Sequence, residues 1–263
     1  MRMNVVEAVE KLDVHGYVRV AGCFRTFEEA FDFGKEVAEM SGLHHGLLPL
    51  SVIGDFVVPP LDGSETRDFQ TLHLDFGLPL DPKIEQDVAF YTALFVPADV
   101  LCVQAETRLV PLNKLLGQRS WPPLSELIHN FCNYGRTHGA WDDDRGYVEG
   151  SLARIVEAAD SEHSPALPSV KVEPDFLCGM EFGSIPEEVE FFEARGLRLH
   201  EAELRIQLQP GDLMIFNNMA VAHGRRGTRQ QGELRQRVYG QRLHAEAQSQ
   251  LRDGVLAAFR GRQ

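Results

Sequence analysis

Apolar residues at positions 5, 6, 8, 9 and 12 recur at helical spacing, and Gly16 closes the pattern. The spacing predicts a helix over 5–12 and a short strand over 15–20. Thr26 followed by Glu29 is a capping-box pair. The helix it opens, over 27–40, gathers Phe27, Ala30, Phe31, Phe33, Val37 and Met40 largely on one side, with Gly42 as its expected stop. Apolar, β-favouring runs then take over at 47–58, 69–76, 88–96 and 100–105. Gly54 is a possible bulge in the first of these, and Pro59 and Pro60 end it. Residues 62–68 read as a polar loop at the lip of a site. Short helices are expected at 112–116 and 124–131.

The pattern breaks after residue 133. Four glycines, the run Asp142-Asp143-Asp144, Pro165 and Pro168 surround one expected helix at 151–159. A long insertion inside a compact domain is usually functional, so 133–180 is a candidate lid. A helix at 187–194, strands at 204–208, 213–216 and 237–243, and a helix at 245–259 complete the chain. Many short strands between flanking helices predict one mainly β domain (α+β) over 1–263, a rolled antiparallel sheet with helices outside it.

Composition narrows the function. The chain has 263 residues, 43% hydrophobic and 25% charged, as in ordinary globular domains. Its formal net charge is −13 with no basic block, which argues against nucleic acid and anionic membranes as partners. The four cysteines, Cys23, Cys102, Cys132 and Cys178, are far apart, which predicts reduced thiols. The first residues do not read as a signal peptide, and no apolar run is long enough to span a membrane. Together these features predict a cytoplasmic protein; they leave its oligomeric state open.

Chemistry gathers in two places. His73 and Asp75 alternate within an apolar run, so in a strand both point to one face. Far downstream, His223 follows the turn Pro210-Gly211-Asp212 and an apolar strand, and Arg237 lies in another. Two imidazoles and a carboxylate with open positions form the facial triad of a non-haem Fe(II) site. A guanidinium in an apolar strand needs an anion, and a dicarboxylate supplies one with bidentate geometry. His-x-Asp alone is weak among ten histidines. Asn217 and Asn218 read as turn residues. Arg225 and Arg242 are further candidates for contact with substrate or cosubstrate.

The set His73-x-Asp75, Gly211-Asp212-Leu213-x-Ile215-Phe216-x-Asn218, His223-Gly224-Arg225 and Arg237-Val238-Tyr239 resembles the Fe(II)/2-oxoglutarate dioxygenases of the TauD and clavaminate synthase-like type. The resemblance implies a double-stranded β-helix (jelly roll). It implies Fe(II) held by His73, Asp75 and His223, 2-oxoglutarate as cosubstrate and dioxygen as oxidant. Arg237 would hold the distal carboxylate of 2-oxoglutarate, and Thr107 would share it, although the glycine pair common before that threonine is missing. The carboxylate of Asp75 favours hydroxylation, desaturation or ring closure over halogenation. Two other readings stand beside this one: a cupin-type metalloenzyme that does not use 2-oxoglutarate, and a non-catalytic β-roll binding protein.

Overall fold

A computed structural model describes residues 3–47, 49–57, 69–74, 78–79, 86–100, 105–117, 147–148, 152–153, 156, 182, 184–227 and 234–243. Asp75, the expected loop at 62–68, the expected helices at 124–131 and 245–259 and most of the 133–180 segment lie outside these residues.

The opening helices form as their patterns require. Helix α1 (Val5–His15) starts where the Asn4 side chain accepts the Glu7 N–H at 2.9 Å. It ends at Gly16, whose φ of 79° suits the left-handed cap. Strand β1 (Tyr17–Val20) follows. At the start of α2 (Phe27–His44), Thr26 Oγ1 accepts the Glu29 N–H at 3.3 Å while Glu29 Oε2 accepts the Arg25 N–H at 3.2 Å. This is the predicted reciprocal cap. Gly42 does not stop this helix. It is buried within the last turn, and its carbonyl accepts the N–H groups of His45 and Leu47; the chain turns away at Gly46, with φ of 75°.

The strands form two principal sheets. Strands β2 (Ser51–Val57), β5 (Gln86–Phe95), β9 (Leu213–Asn217) and β11 (Arg235–Leu243) join β1 in a five-stranded sheet ordered β1-β9-β5-β11-β2. Strands β3 (Phe69–His73), β6 (Glu106–Pro111), β8 (Leu204–Ile206) and β10 (Val221–Arg226) form a four-stranded sheet ordered β3-β10-β6-β8. A two-stranded sheet pairs β4 (Leu78–Pro79) with β7 (Tyr147–Val148). Every pairing is antiparallel. The chain passes back and forth between the two larger sheets, so residues distant in sequence become neighbours. Helix α3 (Leu112–Leu116) follows β6, and α4 (Ile185–Glu193) and α5 (Leu199–Ala202) precede β8.

Side-chain alternation sorts two apolar layers. Met214 and Phe216 of β9 pack with Leu94, Val96, Leu109 and Val221 between the sheets. Leu213 and Ile215, on the opposite face, join the layer that includes α1 and α2. Helix α2 lies against that second face: Tyr239 Oη donates to the Phe31 carbonyl at 2.7 Å, and Ser41 Oγ lies 3.0 Å from Tyr91 Oη.

Most of the strand expected at 100–105 lies outside the described residues; Val100 is in a turn, and a strand that was not expected runs over Glu106–Pro111. Its charged residues hid the alternation of Thr107 and Leu109 inward with Arg108 outward. His223 does not directly follow the strand over Leu213–Asn217: after a turn at 218–220 it lies inside a separate strand, Val221–Arg226.

Candidate metal centre

The fold brings the two expected histidine ligands together. Strands β3 and β10 pair so that His73 and His223 are direct cross-strand partners. Their ring centroids lie 4.2 Å apart at an interplanar angle of 49°. They are 3% and 7% exposed. His73 Nδ1 lies 2.9 Å from the Thr71 carbonyl. With its proton donated there, the imidazole presents Nε2 as a lone-pair donor, the usual arrangement for a metal-binding histidine. The Gln70 amide nitrogen is 3.5 Å from that Nε2. The His223 ring leans on Phe216, with centroids 4.7 Å apart, which places it against the layer between the sheets. Two imidazole nitrogens in a buried, half-aromatic setting suit a divalent transition metal. Among the described residues there is no cluster of three metal-ligating side chains; Asp75, the expected third ligand, is outside them.

Thr107 belongs to the same surface. It lies on β6, 3% exposed, two residues from Leu109, the cross-strand partner of His223. Its own partner across the ladder is Arg225. Arg225 is 5% exposed, shares the face of His223, and donates from Nη1 to the Gly227 carbonyl at 3.0 Å. Two residues along a strand cover about 6.6–6.8 Å, so Thr107 and Arg225 sit one step along the ladder from the histidine pair.

Arg237 is elsewhere. On β11 its partners across the ladder are Ala93 and Asp55. Its guanidinium lies 4.5 Å over the Phe31 ring of α2 and bonds to Asp55 Oδ2 at 2.5 Å. Arg237 therefore points to the helix side of the five-stranded sheet, away from the layer holding His223. The anion expected beside this guanidinium was a dicarboxylate cosubstrate; the one the structure places there is Asp55. Arg242 lies exposed near the end of β11.

The Pro-Gly-Asp turn is structural. Asp212 is buried and accepts from Arg19 Nε at 2.8 Å, the Gly22 N–H at 2.6 Å and the Gln209 N–H at 2.8 Å, tying β1 to β9. Asn217 is a turn residue as expected, accepting the Met219 N–H at 2.9 Å.

A buried ionic group behind the histidine strands went unpredicted. Arg108, on the outer face of β6, pairs with Glu188 of α4 at 2.7 Å and with Glu203 after α5. All three side chains are essentially inaccessible. Burial opposes the charge on Arg108, but the two carboxylates outweigh it and hold the guanidinium protonated. Burial also pushes the Glu188 carboxyl up, against the pull of Arg108 and the Leu72 N–H. The sequence carries a faint signal: Glu188 falls at helical spacing between Ile185 and Phe192.

Residues 190–242, which include His223 and Arg237, match the family model described as taurine catabolism dioxygenase TauD, TfdA family. No curated protein matches the sequence. Among solved structures, the chain is similar to PvcB from Pseudomonas aeruginosa, at 13% identity and a TM-score of 0.46, over 93% of this chain and 81% of that one. It is also similar to a taurine dioxygenase from Burkholderia xenovorans, at 15% identity and a TM-score of 0.45, covering 94% and 85%. A third is asparagine oxygenase in complex with Fe(II), hydroxyasparagine and succinate, at 14% identity and a TM-score of 0.40, covering 89% and 77%.

Proposed function

We propose that this protein is a non-haem Fe(II)- and 2-oxoglutarate-dependent oxygenase that oxidises an unactivated C–H bond of a small molecule, such as an amino acid or a biosynthetic intermediate. The observation that carries the proposal is the buried cross-strand pair of His73 and His223. It unites residues 150 positions apart on one surface, with Asp75 two residues beyond the first. The family match over 190–242 adds independent support for the second histidine. The alternation of strands between the two larger sheets supports a double-stranded β-helix, with β1 as an added outer strand.

In this reading His73, Asp75 and His223 hold the iron, which when loaded with cosubstrate and dioxygen supplies the oxidising power. The chain's own residues do the rest. The Thr71 carbonyl keeps the His73 proton on Nδ1 and its Nε2 available. Phe216 packs beside the His223 ring and excludes water from that side. Thr107 and Arg225 take the distal carboxylate of 2-oxoglutarate, a hydroxyl and a guanidinium facing each other across the ladder. Arg237, expected in that role from sequence, is a structural residue. The chain is read as one domain spanning 1–263.

Anaerobic titration tests this directly. Fe(II) followed by 2-oxoglutarate gives a weak visible charge-transfer band in the wild type. Arg225→Met raises the 2-oxoglutarate concentration needed for that band at least tenfold, and Arg237→Met leaves it unchanged. A wild type that binds Fe(II) but gives no band with 2-oxoglutarate favours the cupin-type reading. One that binds no Fe(II) leaves the non-catalytic β-roll.

A further inference from the structure

The Arg108–Glu188–Glu203 group stands directly behind the strand that carries His73. Glu188 Oε1 accepts the Leu72 N–H at 2.9 Å, and Arg108 Nη1 reaches the Gln70 carbonyl at 3.4 Å. Arg108 is on β6 and Gln70 on β3, with β10 between them. The reach is possible because the cross-strand partner of Arg108 on β10 is Gly224, which has no side chain to block the way. A Cβ at Gly224 would lie 2.7 Å from the Gln70 carbonyl oxygen and 3.0 Å from that of Thr71. The register between β10 and β3 shifts at this same point, between His223 and Arg225.

Stability alone does not account for this arrangement. Burying three ionised groups is costly, and apolar side chains of similar volume commonly serve a fold as well or better. What the charges do that apolar groups cannot is grip two defined backbone atoms of β3, on the residues immediately before His73. Glu203 is in turn paired with Arg205 at 3.1 Å, which anchors the group to β8.

We infer that Arg108, Glu188 and Glu203, acting across the gap left by Gly224, are positioning residues that set the placement of His73 opposite His223 and so the affinity and geometry of the metal centre. The inference rests on the metal site proposed above. None of these three side chains touches the metal. They act through the backbone of residues 70–72.

Cobalt(II) serves as the probe, because its visible d–d spectrum reports ligand geometry without turnover. Glu188→Ala, which removes the acceptor for the Leu72 N–H, weakens Co(II) binding by about tenfold or more, the usual cost of losing a partner behind a ligand, and shifts the d–d bands. Glu188→Gln, which keeps an acceptor oxygen, recovers most of the affinity. The triple variant R108M/E188M/E203L removes all three charges while keeping the volume. Its far-UV circular dichroism stays that of the wild type, and its Co(II) affinity falls like that of Glu188→Ala. It decides the matter if the single variant does not fold. Variants that lose thermal stability yet bind Co(II) with wild-type affinity and spectrum show that the group merely stabilises the fold, and overturn the inference. A wild type that binds no Co(II) removes the metal site itself, and the positioning role with it.

Discussion

At the scale of single residues, the contrast between Arg225 and Arg237 shows how much a side chain's face matters. Both follow His223 in sequence, and both are arginines in strands. Arg225 shares the face of His223, while Arg237 stacks on Phe31 and pairs with Asp55. A partly exposed ion pair and a cation–π contact each contribute on the order of 0.5–1 kcal/mol. Arg237→Met therefore lowers stability by about 1 kcal/mol in chemical denaturation. His73→Ala has the opposite profile: it removes a ligand of the proposed metal centre, so Co(II) no longer raises the melting temperature. In the wild type, Co(II) at about 100 times its dissociation constant adds roughly 2.7 kcal/mol of stability by mass action, which calorimetry reads as an upward shift.

At the scale of elements, helix α2 and the five-stranded sheet share a buried polar seam. Burial pushes the Tyr91 hydroxyl well up; the bond from Ser41 opposes the shift, and Asp13 adds to it. Tyr239 is likewise raised by burial, against the pull of Arg237. A raised tyrosine is neutral in the fold, while the unfolded chain ionises near pH 10. The stability these groups contribute is thus complete below that pH and is lost as the pH climbs above it. Spectrophotometric titration at 295 nm should show these two of the five tyrosines silent until the protein unfolds in alkali. A smooth titration with ordinary midpoints would mean that α2 does not seal the sheet. In the four-stranded sheet, Gly224 has the corresponding role of letting backbone approach backbone. Gly224→Ala should cost about 1–3 kcal/mol in chemical denaturation, the usual penalty of overpacking, because the clash is with carbonyl oxygens rather than a flexible side chain.

At the scale of the whole molecule, charge and topology do different work. A net charge of −13 leaves little to neutralise phosphates, so electrophoretic mobility shift should detect no retention of DNA or RNA at physiological salt. Retention there would remove the case for a small-molecule substrate. No helix among the described residues is long and apolar enough to cross a membrane. Topology makes the site, because the strand carrying His73 and the strand carrying His223 are adjacent only after the chain has crossed between the sheets several times.

Local features were open to reading from the residue order alone. The Thr26–Glu29 cap, the left-handed stop at Gly16 and the alternating strands depend on neighbours within a few positions, where propensity and side-chain period are decisive. The choice of His73 and His223 was also available, because each sits at a definite phase of an apolar run. Three things waited on the tertiary structure. The face presented by Arg237 follows from the pairing of β11 with β2 and β5, which no local pattern encodes. The strand at Glu106–Pro111 was masked by Arg108, a charge whose burial makes sense only with Glu188 and Glu203 beside it, some 80 to 95 residues away. The side-by-side placement of the two histidines is likewise a long-range event. Sequence period determines which way a side chain points from its own strand, but only the folded sheet determines what it points at.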